Sequence, residues 1–300
     1  MAVTKDPAQS TASGVTLSQL VDRVRLEIEP RLDINILNGN IDASTQTVSF
    51  NHTFQHASID RGSTFSIDDE VFYVIAVDSS SRQVTALRGH QNTTAASHSN
   101  GALVYFSQNS RKQIVDAINQ ELDSLYAKGL YQMRSVPITN YSWSVFDYQL
   151  GDINASDVYD VQYLATGTNG EWLHLPGWRF NPIDNTLILT SEPSWSHSLR
   201  VLYKSGFTHL TQPTDDIQSV AGLQDDASDI LVYGACARLT LSDEYKRNDF
   251  RSQGDTRRPS EVPTGSQMRS HALFVQMRDQ RIAEERNRLR KRYPVRRSGW

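Results

Sequence analysis

The apolar positions of the chain fall into stretches of helical period and stretches of strand period. Thr16-Leu-Ser-Gln19 has the form of a capping box: a threonine hydroxyl meets an orphan amide, and a glutamine three residues on reaches back. Leu17, Leu20, Val21, Val24 and Ile28 then follow helical spacing up to Pro30, so a short amphipathic helix is predicted. From residue 40 to 106 the period falls to two. Residues 47–50, 64–67, 70–77, 83–87 and 102–106 read as five short strands punctuated by Ser, Gly, Asp and Asn, the pattern of a compact β-barrel or sandwich. Ser110 opens a second helix with Ile114, Val115, Ile118, Leu122, Leu125 and Tyr126 on one face and Gly129 at its C-terminal cap.

A second strand-period region covers residues 136–207. Its predicted strands are 142–146, 158–164, 178–180, 186–189 and 199–203, with hairpin chemistry at Gly167-Thr-Asn-Gly170 and Asp184-Asn185. A third helix starts near Asp225 or Asp226, acids suited to a helix N-terminus. Its face runs through Ala227, Ile230, Leu231, Gly234, Ala235, Arg238, Leu241 and Tyr245. The small residues from Gly234 through Ala235 to Ala237 allow a close helix approach. A hydrophilic loop follows at 248–263, then a last helix over 266–292 before Pro294. Along it Met268, Val275, Ile282 and Leu289 recur every seventh residue, a stripe too narrow for a core and suited to a helix lying along a neighbour.

These elements predict an α+β fold, a helical bundle of about four helices carrying two β-rich modules, the first inserted between helices 1 and 2. The expected organisation is a flexible stretch at 1–15 and a helical pair at 16–39 and 108–135 around an inserted β-module at 40–107. A second β-module follows at 136–210, then C-terminal helices at 225–293 and a basic tail at 294–300. Hydrophobic residues make up only 38 % of the 300. A core so lean implies small subdomains that gain stability by packing on neighbours.

Cys236 is the only cysteine, which excludes an intramolecular disulfide and a Cys-rich zinc site. No window reaches the roughly 20 apolar residues of a membrane helix, and residues 1–14 lack the apolar core of a signal peptide. The expectation is a non-membrane protein made in the cytoplasm. The net charge of −4 is uneven: between Arg278 and Arg297 nine Arg or Lys face three acids, leaving −10 on the rest. Such a tail meets a polyanion or an acidic protein surface.

Motifs for chemistry are sparse. There is no serine elbow, phosphate loop or dinucleotide fingerprint. His52, His56, His90 and His98 make no metal frame and read as surface or turn histidines. Asp68, Asp69 and Glu70 read as hairpin-turn acids, and Asp225, Asp226 and Asp229 as helix-start acids. No catalytic residue, metal or cofactor is expected, and the chain is not expected to be an enzyme; a carboxylate pair assembled by folding keeps a cell-wall hydrolase as a minor alternative. Trp143, Tyr148, Trp172, Trp178 and Trp195 fit β-core or inter-subunit packing better than a sugar platform.

Two features carry a resemblance. Thr85-Ala-Leu-Arg-Gly89, Asn92-Thr-Thr-Ala-Ala-Ser-His98 and Gly101-Ala-Leu-Val104 resemble a β-module common in phage structural proteins, and Ile67-Asp-Asp-Glu70 resembles its preceding hairpin. The order helix, β-insert, helix, then a small-residue helix (Tyr233-Gly-Ala-Cys-Ala-Arg-Leu239) and a long charged helix with a basic end is similar to that of tailed-bacteriophage head-to-tail connectors, also called adaptor or neck proteins. The resemblance covers most of the chain from Thr16 onward. It implies a structural virion protein forming a closed ring of twelve copies on the portal. That ring extends the DNA channel without reading sequence, takes part in genome retention and ejection, and offers a platform for a tail or nozzle protein, with fibres or head proteins as further partners. The docking residues are then Arg286, Arg288, Arg290, Lys291, Arg292, Arg296 and Arg297 with Trp300 as an anchor. Gly234, Ala235, Ala237, Met268, Val275, Ile282 and Leu289 are expected to pack helices and subunits. The alternative is a tail or baseplate protein whose β-modules bind a receptor or sugar.

Overall fold

The computed structural model describes residues 14–29, 34–53, 59–106, 109–138, 146–151, 158–164, 171–181, 183–190, 198–250 and 266–294, with backbone alone at 242–250 and 266–267. Helix takes 36 % and strand 31 %, which makes the fold mixed α+β. The chain divides into two units, one of residues 1–124 with 208–300 and one of residues 125–207.

In the first unit, helix α1 (Leu17–Ile28) starts on the capping box: the Gln19 amide donates to Thr16 Oγ1 at 3.4 Å, and the Thr16 amide donates to Gln19 Oε1 at 3.1 Å. Leu17, Leu20, Val21 and Val24 are fully buried, as their spacing requires. Six strands follow: β1 (Ile34–Ile36), β2 (Thr47–Ser49), β3 (Thr64–Ile67), β4 (Glu70–Asp78), β5 (Gln83–Leu87) and β6 (Leu103–Tyr105). They pair antiparallel in the order β1-β6-β3-β4-β5-β2. The bridge Leu37–Phe50, flanked by Asn38 N–H to Ser49 O (2.8 Å) and Asn51 N–H to Ile36 O (2.9 Å), joins the outer strands and closes the sheet into a barrel. Closure removes the edges that an open sheet leaves unpaired. Phe50, Phe65, Phe72 and Phe106 fill the interior, the Phe65 and Phe72 rings stacked at 4.7 Å and Phe50 set edge-on to Phe65 and Phe106. The barrel starts at Ile34, ahead of the predicted boundary at 40, because three residues are too few to show a period of two.

Helix α2 (Arg111–Ala127) ends where Gly129 takes φ +85° and the Leu130 amide returns to Leu125 O at 3.0 Å, a Schellman closure. Helices α3 (Ser228–Phe250) and α4 (Ser266–Arg292) follow the second unit in the chain. α3 runs through Asn248, into the stretch expected to be a loop; residues 251–265 lie outside the described residues. Ile230, Leu231, Val232, Gly234, Ala235, Cys236, Ala237, Leu239 and Thr240 of α3 are all buried. A helix buried on every side is a central helix, and α1, α2 and α4 each meet it.

The contact with α2 is polar. Glu121, with a side chain wholly out of solvent, accepts from Arg238 Nε (3.1 Å) and Nη2 (3.0 Å), and Arg278 Nη1 of α4 lies 3.8 Å away. Gly234 makes room for it: a Cβ there would lie 2.3 Å from Glu121 Cγ.

The second unit holds β7 (Gln132–Ile138), β8 (Asp147–Gln149), β9 (Val158–Leu164), β10 (Trp172–His174), β11 (Trp178–Asn181), β12 (Thr186–Leu189) and β13 (Leu199–Ser205). They form a four-stranded sheet, β10-β9-β13-β7, and a three-stranded sheet, β11-β12-β8. Tyr148, Val161, Leu175, Leu187, Leu189, Leu199 and Val201 form one core between the sheets. The strand predicted at 142–146 and the turn at 167–170 lie outside the described residues, apart from Phe146. β7 begins at Gln132, four residues inside the stretch expected to end the helical pair at 135, and continues into the expected β-module.

Gly234→Ala should lower stability by about 1–3 kcal/mol, read as a lower urea midpoint at unchanged slope; an unchanged midpoint would contradict the sealed Glu121 notch. Burial pushes the Cys236 thiol up to about 12. A soluble disulfide reagent should therefore label it only as fast as the first unit opens.

Candidate functional site

Helix α4 leaves most of its described side chains exposed. It buries Phe274, Ile282 and Glu285, and half-buries His271, Val275, Arg278, Arg281 and Leu289. Phe274 stacks on Tyr233 of α3 at 6.4 Å, and His271 Nδ1–H donates to Ala237 O at 2.8 Å. Of the predicted seven-residue stripe only Ile282 is fully buried; Met268 is 55 % exposed, and Leu273, outside the stripe, is 54 % exposed. The covered face runs instead through Phe274, Arg278, Ile282 and Glu285, because polar residues share the interface. Arg278 reaches Glu121, and Glu285 receives Arg288.

At the basic end, Arg288 Nη1 donates to Asp226 at 2.5 Å and to Glu285 at 2.8 Å. Those two carboxylates, Asp226 first, hold the Arg288 guanidinium above its ordinary value. Arg281 Nη2 donates to Asp226 O at 2.7 Å, and Arg281 also pairs with Glu284. Arg281 and Arg288 are thus clamped to the head of α3. Arg286, Arg290, Lys291 and Arg292 are exposed, and Arg286, Arg290 and Lys291 have no ion pair among the described residues. Cations at the last turn also face the negative end of the helix dipole. Arg296, Arg297 and Trp300 lie outside the described residues.

The small residues of α3 serve a different contact from the one expected between subunits. Gly234, Ala235 and Ala237 are buried inside the chain, with Gly234 against Glu121. Their lack of bulk brings helices of one chain together, so they are not surface for a second copy. Asp225, Asp226 and Asp229 also do more than start a helix: Asp225 accepts from the Val15 amide at 3.2 Å, Asp226 holds Arg288, and Asp229 pairs with Arg23.

The barrel motif converges on one carboxylate. Asp68 and Asp69 form the β3–β4 turn, Asp68 with φ +50°, but Glu70 points inward and is 2 % exposed. Its Oε1 accepts from Arg88 Nε (2.7 Å) and the Gly89 amide (3.0 Å). Its Oε2 accepts from Arg88 Nη2 (2.7 Å), the Ala96 amide (3.0 Å) and His98 Nε2 (2.9 Å). Arg88 lies over the Phe72 ring at 4.7 Å and also donates to the carbonyls of Asp42, Thr45 and Ala96. Glu70 is therefore a buried anchor rather than a turn acid. His98 is likewise no surface histidine: it is 5 % exposed, between Glu70 and Asp68, whose Oδ2 lies 2.8 Å from Nδ1. The Arg-Gly turn and the small-residue loop are thus both held by hydrogen bonds to the Glu70 carboxylate.

Trp178 packs against the core of the second unit, whereas Trp172 lies under the Arg200 guanidinium at 4.3 Å. Trp143 and Trp195 lie outside the described residues, as does His56. Among the described residues no group of three or more His, Cys, Asp or Glu is placed to hold a metal ion, and no helix is long and apolar enough to cross a membrane. Local spacing gives no sign of Glu121 and Arg200, whose partners Arg238 and Gln162 lie 117 and 38 positions away, or of Asp160 and His174, which meet across 14 residues.

Burial pushes the Glu70 carboxyl up, but hydrogen bonds led by Arg88 outweigh it and hold the group down to about 2, against an ordinary 4.5. The depressed value stabilises the folded chain above pH ~4.5, and this contribution is lost as pH falls towards 2. Urea unfolding at pH 6 and pH 3 should show a loss on the order of 2 kcal/mol from this group, and Glu70→Gln should flatten that part of the profile. A scan against protein-family models and a search of curated proteins return no match to this chain.

Proposed function

We propose that this chain is a structural virion protein, a head-to-tail connector whose copies form a closed ring on a phage portal. One observation carries the reading most: α4 is a 27-residue helix held by one face, with an exposed cationic end at Arg286, Arg290, Lys291 and Arg292 and open apolar side chains at Met268 and Leu273. A solvated helix needs neither an apolar pair more than half exposed nor a cluster of unpaired arginines, whereas a docking helix uses both. In this reading the four helices act as a bundle that carries two β-modules, the first between α1 and α2. The basic end meets acidic surface on the portal, and the DNA channel runs through the ring without sequence readout. The tail or nozzle protein docks below, the β-modules offer surface to fibres or head proteins, and the protein resides in the virion neck and catalyses nothing.

A second reading, a tail or baseplate protein whose β-modules bind a receptor or sugar, is favoured by Trp172 and Arg200, which stack outside the core cluster of the second unit.

Mass photometry of the full chain, alone and with portal rings, should show ring-sized assemblies that bind the portal. Deleting residues 286–300, or reversing charge at Arg286, Arg290 and Lys291, should weaken that binding about tenfold or more, because several charge-assisted contacts vanish together. A monomer indifferent to the portal would overturn the connector reading.

A further inference from the structure

The outer face of the four-stranded sheet carries a polar row that neither the core nor the connector reading uses. Register sets His174 of β10 opposite Gln162 of β9, and Gln162 opposite Arg200 of β13. Opposed residues share a face, and Asp160 and Trp172, each two positions along its strand, share it too. The alternate residues Val161, Leu199 and Val201 point into the core.

One chain of hydrogen bonds organises the row. Arg200 Nε–H donates to Gln162 Oε1 at 2.8 Å, and Gln162 Nε2–H donates to Asp160 Oδ2 at 3.1 Å. His174 Nδ1 meets Asp160 Oδ1 at 2.5 Å. The Asp160 side chain is 1 % exposed while that of His174 is 45 % exposed. A buried carboxylate under a half-exposed imidazole orients the ring: Nδ1–H faces Asp160 and Nε2 faces outward. The Arg200 guanidinium lies over the Trp172 ring at 4.3 Å. Two kinds of group are left without a hydrogen bond among the described residues, the Nη1 and Nη2 fork of Arg200 and Nε2 of His174.

We propose that this row binds a hydroxycarboxylate, of the class of a uronic sugar. The planar fork matches a carboxylate through two parallel hydrogen bonds. His174 Nε2 then hydrogen-bonds a hydroxyl of the same ligand, which can donate or accept. β10 and β13 flank β9, so the two groups spring from strands roughly 10 Å apart, a separation that leaning side chains and a six-carbon acid span. A phosphate is too small to span that separation and would meet the fork alone. The site stands independently of the connector reading, and failure of the portal assay leaves it untouched.

Isothermal titration of the full chain with D-glucuronate, acetate, D-glucose and inorganic phosphate tests this. Glucuronate should bind saturably and about tenfold more tightly than acetate or glucose, each of which satisfies only one half of the site. Arg200→Lys keeps the charge and loses the fork, and should weaken glucuronate about tenfold. His174→Phe should weaken glucuronate by a similar factor and leave acetate unchanged. Circular dichroism melts of both variants establish that they fold. No saturable glucuronate binding, an unaffected Arg200→Lys, or phosphate binding as tightly as glucuronate would each overturn the proposal.

Discussion

The helices of the first unit depend on how one buried charge is met. Glu121 is taken wholly out of water on α2, and a carboxylate so placed is tolerated only if cations and donors surround it. Arg238 of α3 and Arg278 of α4 do so, and Gly234 supplies the notch that brings the backbones close enough. Three helices far apart in sequence are thus tied at one point. The apolar burial around α3 supplies the bulk of the stabilisation, while the charge restricts which arrangement of helices is acceptable, since sliding α2 along α3 would strand the glutamate.

The barrel repeats this logic on a smaller scale. Glu70 and Arg88 meet through a bidentate pair at the mouth of a phenylalanine-filled interior, and the loop carrying Gly89, Ala96 and His98 folds down onto the same carboxylate. The residues that resemble a phage β-module are the residues that close this network. Their pattern therefore has a physical basis in stability. Outside it, on the uncovered side of α4, Arg286, Arg290 and Lys291 stand clear of the carboxylates that clamp Arg281 and Arg288.

Much of the architecture was legible in the residues themselves. The capping box at Thr16, the face of α1, five of the six barrel strands, the face and Gly129 closure of α2, and the start of α4 all follow from local spacing, because period and turn chemistry act over a few residues. What local spacing cannot carry is the identity of a distant partner. Only the tertiary structure decided that β1 closes the barrel, that Glu70 and His98 face inward, that Gly234 receives Glu121 rather than a second chain, and that Asp160, Gln162, His174 and Arg200 share one sheet face. Each of those depends on strand register or helix packing, where residues tens of positions apart become neighbours and a polar side chain acquires its meaning from what buries it.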